Sequence, residues 1–201
     1  MESETHTANA TRQFSIEFPV ANEYLQLCPE TRNPEFTRLR YSAITDNPED
    51  FGSRDSCYFL RQNVLNRDTE LFTVITMYNE DERQLAKTLD STMDNIAYLC
   101  DKDCPRSWGP NGWMNAVVCI VADGRSKINP RVLKLLNVMG IYPDGLELPS
   151  FVNGSEVTMH LFEFTTQISV DENLSIRTHK QGIVPLQLIF CLKQKNAKKV
   201  I

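Results

Sequence analysis

The sequence predicts an α/β fold, and three observations carry that reading. Two short runs, LFTVITM at 71–77 and AVVCIVAD at 116–123, are continuously apolar and rich in β-branched residues. That is the pattern of strands buried on both faces of a parallel sheet. Between them, QLAKTLDSTMDNIAYL at 84–99 places Leu85, Leu89, Met93, Ile96 and Leu99 at helical spacing. After the second run, Pro130 opens PRVLKLLNVM and Gly140 follows its end, as expected at the two termini of a helix. Strand, helix, strand and helix in this order suggest a right-handed β-α-β unit.

The remaining elements come in chain order. Residues 1–12, MESETHTANATR, read as a mobile polar tail. FSIEFPV at 14–20 and RLRYSAI at 38–44 alternate and read as short strands, with Leu39, Tyr41 and Ala43 on one face of the second. TDNPEDFGSRDS at 45–56 is turn chemistry. Residues 13–70 therefore read as an antiparallel appendage whose thin core must pack on the chain after Glu70. Asn79 or Asp81 is placed to cap the 84–99 helix. In the polar loop 100–113, Trp108 and Trp113 read as packing residues rather than sugar platforms. VTMHLFEFTTQI at 157–168 reads as a strand and 169–182 as a loop. VPLQLIFCL at 184–192 fits either a strand or the front of a helix running into KQKNAKKV. The sequence stops soon afterwards without an evident cap, which suggests that the natural polypeptide continues.

Composition narrows the function. The 201 residues are 41% hydrophobic and 23% charged, ordinary for a globular domain. A net charge of −5 with no basic face argues against a general nucleic-acid binder. No run of about 18 apolar residues occurs, so nothing here reads as a membrane span. The N-terminus, polar and carrying two Glu, is no secretory signal. Cysteines 28, 57, 100, 104, 119 and 191 are too sparse for a disulfide framework, and reduced thiols are expected. Cys119 and Cys191 sit in apolar runs as small hydrophobes. Cys100 and Cys104 lack two further ligands at zinc spacing, and His6, His160 and His179 are scattered.

In open α/β sheets, ligands bind beyond the carboxyl ends of the strands. Two polar clusters fall there: Thr76-Met77-Tyr78-Asn79-Glu80 and Ala122-Asp123-Gly124-Arg125. Neither is a glycine-rich phosphate loop. A nucleotide would instead meet an aromatic face and carboxylates. Tyr78 can stack on a flat base. Asp123 or Glu80 can accept from a ring N–H. Arg125 or a lysine can meet phosphate charge. Each feature also has a plainer reading. Tyr-Asn-Glu is the start of a helix, Asp-Gly a turn, the C-terminal lysines a solvated helix face, and His160 a surface or core residue of its strand. Pattern alone stops at an α/β domain with the means to bind a nucleotide.

Longer segments say more. LFTVITMYNEDERQLAKTLDSTMDNIAYLC, WMNAVVCIVADGRSKINPRVL and VPLQLIFCLKQKNAKKV resemble the opening of the catalytic domain of fungal chitin synthases. EFTRLRYSAITDNPEDF resembles that family's N-terminal segment. The resemblance runs from about residue 13 to the end, in the family's order, and EFTRLRY and CLKQKN favour the chitin branch over cellulose or hyaluronan synthases. It implies a family-2 processive glycosyltransferase. Residues 71–201 would be the first, UDP-binding part of a GT-A domain, Rossmann-like with a mostly parallel sheet. Residues 13–70 would be the small N-terminal chitin-synthase segment preceding it. The implied reaction moves N-acetylglucosamine from UDP-N-acetylglucosamine to the 4-hydroxyl of a growing chitin chain, with inversion.

The resemblance also implies roles for residues. Thr76, Tyr78 and Glu80 would line the uridine pocket, with Tyr78 flanking the uracil. Asp123 would hydrogen-bond the base, Arg125 belongs to the same motif, and Lys193 would lie near the nucleotide. The family uses a divalent cation, Mg or Mn, on an acidic motif expected after residue 201. The catalytic carboxylate, the acceptor-gripping motif and the transmembrane helices that place the enzyme in the plasma membrane are expected later still. This chain then contributes no catalytic and no metal-binding residue, and alone should make no chitin. A homodimer through the N-terminal segment is a further expectation. The competing reading is a non-catalytic product that binds a nucleotide or pairs with a full-length synthase.

Overall fold

A computed structural model describes residues 15–47, 49–52 and 58–195. The tail expected over 1–12, together with His6, Cys57, Lys198 and Lys199, lies outside the described residues. The elements in order are β1 (Ser15–Pro19), α1 (Asn22–Leu25), α2 (Pro34–Thr37), β2 (Arg38–Ile44), α3 (Arg61–Val64), β3 (Leu71–Met77), α4 (Glu82–Cys100), β4 (Ala116–Ala122) and α5 (Pro130–Val138). Next come β5 (Phe151–Val152), β6 (Ser155–Glu156), β7 (Met159–Thr166), β8 (Ser169–Val170), β9 (Ile176–Arg177) and β10 (Leu186–Lys193). A six-stranded sheet of order β1-β2-β7-β10-β4-β3 organises the chain. It is mixed: β3, β4 and β10 run parallel, while β10–β7, β7–β2 and β2–β1 pair antiparallel. The parallel character is thus confined to the strands after Glu70.

The α/β reading follows from local chemistry. Asp81 caps α4, accepting from Gln84 N while the Gln84 side chain returns to Asp81 N, a complete capping box. Leu85, Leu89, Met93 and Ile96 then fall on one buried stripe. They share a core with Val118, Ile120, Phe162 and Phe190 on one face of the sheet. Asn33 and Asn129 cap α2 and α5 by accepting from Glu35 N and Arg131 N, each followed by proline at the first helical position. Gly140, just past α5, has φ +81, and an added Cβ would sit 2.6 Å from the Phe164 ring. Trp113 is buried against Phe36, so the packing reading of that tryptophan holds.

Three expectations change, the first at 169–182, read as a loop, where β8 and β9 pair as a short antiparallel hairpin. The run 71–77 reads as buried on both faces, but β3 is an edge strand paired only with β4. Phe72 and Val74, on the face away from α4, are 53% and 50% exposed. The apolar run is real, yet nothing among the described residues covers its second face. The ambiguity over 184–192 resolves to a strand. β10 lies between β7 and β4, and both its faces are buried, which a helix in this slot could not match.

Residues 13–70 join the same sheet. β2 pairs with β7, and Tyr24, Phe36, Leu39 and Tyr41 enter the main core. A polar network ties the other face. Arg67 makes two hydrogen bonds to the Glu35 carboxylate (2.6 and 2.8 Å) and one to Gln187 (2.9 Å). Thr165 also donates to Glu35, and Arg40 pairs with buried Glu163 at 3.1 Å.

Candidate functional site

The parallel register brings three strand ends together. Met77 lies opposite Ala122, and Ala122 opposite Leu192. The next residues, Tyr78, Asp123 and Lys193, therefore emerge side by side. Backbone bonds fix the edge: Asp123 N donates to Met77 O at 3.0 Å, and Arg125 N to Lys193 O at 2.8 Å. Gly124 turns the chain here with φ +109, a conformation that favours glycine.

The side chains then form a small polar constellation. Lys193 Nζ lies 2.6 Å from Asp123 Oδ1, each side chain about one-third exposed. An ion pair this wet adds little stability. What it does is fix a carboxylate and an ammonium at adjacent strand ends. Tyr78 is 46% exposed, so its ring has a face for a ligand. Thr76 is exposed on the same edge, and Thr76 and Glu80 line a cavity of about 270 Å³ between β3 and the first turns of α4. Glu80 is turned inward: its Oε2 accepts from Tyr78 N (2.6 Å) and Asn79 N (3.1 Å). Those backbone donors hold its carboxyl below the usual carboxylate range. Glu80 thus shapes the turn that presents Tyr78. Arg125 is exposed and makes no ion pair among the described residues. Its positive charge acts on Tyr41, Tyr142 and His160 behind the edge.

All six residues singled out from the sequence, Thr76, Tyr78, Glu80, Asp123, Arg125 and Lys193, thus stand at the ends of β3, β4 and β10. The sequence reading missed a neighbouring cavity of about 480 Å³ beyond Lys193. Ile44, Phe51, Val157 and Met159 give it apolar walls, and Gln194 and Lys195 continue from Lys193. No local signal marks it. It arises because β7 runs antiparallel and brings its amino end to the edge where β10 finishes.

Comparison with known proteins supplies the rest. A family model described as the chitin synthase-like glycosyltransferase domain matches residues 71–201, and one described as chitin synthase N-terminal matches residues 5–70. The chain belongs to the chitin synthase family. It is 50% identical over 186 residues to chitin synthase 2 of Rhizopus oligosporus, a match that covers 92% of this chain and 21% of that protein. The chain therefore spans about a fifth of the curated relative it matches. The α/β sheet with its parallel strands is that of a GT-A-like glycosyltransferase domain.

Among the described residues no three His, Cys, Asp or Glu gather into a possible metal site, and Asp123 is already matched by Lys193. The described thiols, Cys28, Cys100, Cys104, Cys119 and Cys191, are free. Among the described residues no helix is long and apolar enough to cross a membrane.

Proposed function

We propose that this chain is the donor-recognition part of a chitin synthase, taking the uridine of UDP-N-acetylglucosamine at the ends of β3, β4 and β10. One observation carries the reading: an exposed tyrosine ring stands one strand from a carboxylate–ammonium pair. The Tyr78 ring offers a stacking face. Asp123 accepts from the ring N–H of uracil, and Lys193, paired with Asp123 at 2.6 Å, donates to a base carbonyl. Thr76 borders the same pocket. Arg125, exposed and at the next edge position, meets diphosphate charge. Glu80 acts through the backbone, fixing the turn that aims Tyr78.

In the whole enzyme this pocket would present N-acetylglucosamine to the 4-hydroxyl of a chitin chain at the plasma membrane. The general base and the cation that balances the leaving diphosphate would come from residues outside this chain, as would the membrane helices. The chain alone then binds UDP and makes no chitin. The test is a calorimetric titration of UDP into the wild-type chain and Tyr78→Ala. Loss of binding in the variant supports the pocket. Equal affinity, or polymer formed by the purified chain from UDP-N-acetylglucosamine and magnesium, overturns the reading.

A further inference from the structure

We infer that His160 is a positioning residue of the donor site, holding Gln194 and through it the backbone that presents Lys193. The inference rests on the uridine-pocket reading above.

His160 lies on β7 opposite Leu192, one position before the end of β10, and is fully buried. A polar ring in an apolar core is costly unless both nitrogens are partnered. Both are: Nδ1 lies 2.9 Å from Tyr41 Oη, and Nε2 lies 3.1 Å from Gln194 Oε1. An amide oxygen can only accept, so Nε2 carries the hydrogen and Nδ1 accepts from the Tyr41 hydroxyl. Burial holds the ring uncharged by lowering its pKa. The Gln194 bond opposes that shift, and the Arg125 charge adds to it. The Tyr41 ring packs at 6.0 Å from the imidazole and restricts its tilt. The result is a one-way relay, Tyr41 to His160 to Gln194, ending on the residue beside Lys193.

Why that end matters is clear from the backbone. Gln194 N donates to Thr158 O, and Lys193 O accepts from Arg125 N. β10 ends at Lys193, and among the described residues the Gln194 N to Thr158 O bond is the one backbone bond beyond it. The part-buried His160 bond is the side-chain tether of Gln194, on the segment where Lys193, Gln194 and Lys195 line the 480 Å³ cavity. Releasing it would let Lys193 swing from Asp123, whose pairing with it is one-third exposed to water.

UDP affinity of the full chain tests this, measured well below each variant's unfolding midpoint. Gln194→Ala cuts the tether from its half-exposed side and leaves the core intact. His160→Phe cuts it from within, keeping an aromatic ring but also losing the bond from Tyr41. Each should weaken UDP about fivefold, the loss of one hydrogen bond. The double variant should be no weaker than His160→Phe alone, because both substitutions remove the same His160–Gln194 bond. Nitrogen-15 spectra should show His160 as the Nε2–H tautomer in wild type, with that preference lost in Gln194→Ala. Unchanged affinity in Gln194→Ala, or losses that add in the double variant, overturns the positioning role, provided that Tyr78→Ala and Lys193→Ala still weaken UDP. If neither of those two weakens UDP, the uridine pocket itself is wrong and the inference falls with it.

Discussion

Glu80 and Gly140 show how single residues set this edge. Glu80 ionises below the normal carboxylate range because its Oε2 receives two backbone N–H groups. Its folded pKa lies below its unfolded value of about 4.3, so its contribution is complete above that pH and is lost as pH falls through the lower folded value. The Tyr78 and Asn79 amide resonances should hold constant from neutral pH down to about 4.3 and then move together. Glu80→Gln should displace both at neutral pH and weaken UDP without altering the Tyr78 ring. Amides that titrate separately would remove Glu80 as their common partner. Gly140 is a packing constraint. Its φ is +81 and its Cβ position falls on the Phe164 ring, whereas Gly145, φ +71, has nothing within 4 Å. Gly145→Ala meets backbone strain alone, about 1 kcal/mol. Gly140→Ala adds the clash and should cost about 1–3 kcal/mol more by thermal unfolding. Equal costs would mean that the Phe164 ring yields freely.

Among the elements, β2, α2 and the segment after α3 are fastened to the central strands by charge as well as by apolar contact. Glu35, on α2, is 6% exposed and receives Arg67 and Thr165. Gln187, on β10, binds Arg67 through its oxygen and the carbonyls of Met114 and Ala116 through its nitrogen. Arg67→Ala strands the Glu35 carboxylate and removes a cation stacked 5.1 Å from Trp113. Breaking one side of a buried pair costs about 3 kcal/mol, visible as a lower urea midpoint. Replacing Arg67 and Glu35 together by Met and Leu should recover part of that loss. None of this network was legible in the sequence, because its bonded partners lie up to 130 positions apart and meet only through strand order. What was legible is local. Apolar runs ending abruptly at Tyr78 and Asp123 located two strand ends, and Pro130 and Gly140 bounded α5. The strand or helix choice over 184–192 was not decidable locally, since β10 owes its form to neighbours on both sides. His160 was placed on a strand correctly, but its partners depend on register, which no window of sequence contains.

At the scale of the whole molecule, the stretches before and after Glu70 share one sheet and one core. β7 pairs with β2 on one side and β10 on the other. Removing residues 1–70 would bare the β7 edge and withdraw Tyr24, Phe36, Leu39 and Tyr41 from the core. Residues 71–201 expressed alone should therefore lack cooperative unfolding, and a sharp thermal transition in that piece would contradict the shared core. Among the described residues the other edge is open. β3 pairs with β4 on one side and leaves its outer edge unpaired beside exposed Phe72 and Val74, an edge suited to pairing with another copy. A lysine there costs the fold little, because both side chains already stand half in water, and its charge opposes edge-to-edge addition. Phe72→Lys should therefore raise the concentration at which the chain stays monomeric in sedimentation. Its unfolding midpoint should stay close to wild type, and UDP affinity should be unchanged, since Phe72 lies four residues, about 13 Å along the strand, before Thr76. If the variant self-associates as wild type does, the open edge of β3 is not the surface through which copies meet. If instead its midpoint falls sharply, Phe72 is packed in solution, and the β3 face must be covered by chain outside the described residues.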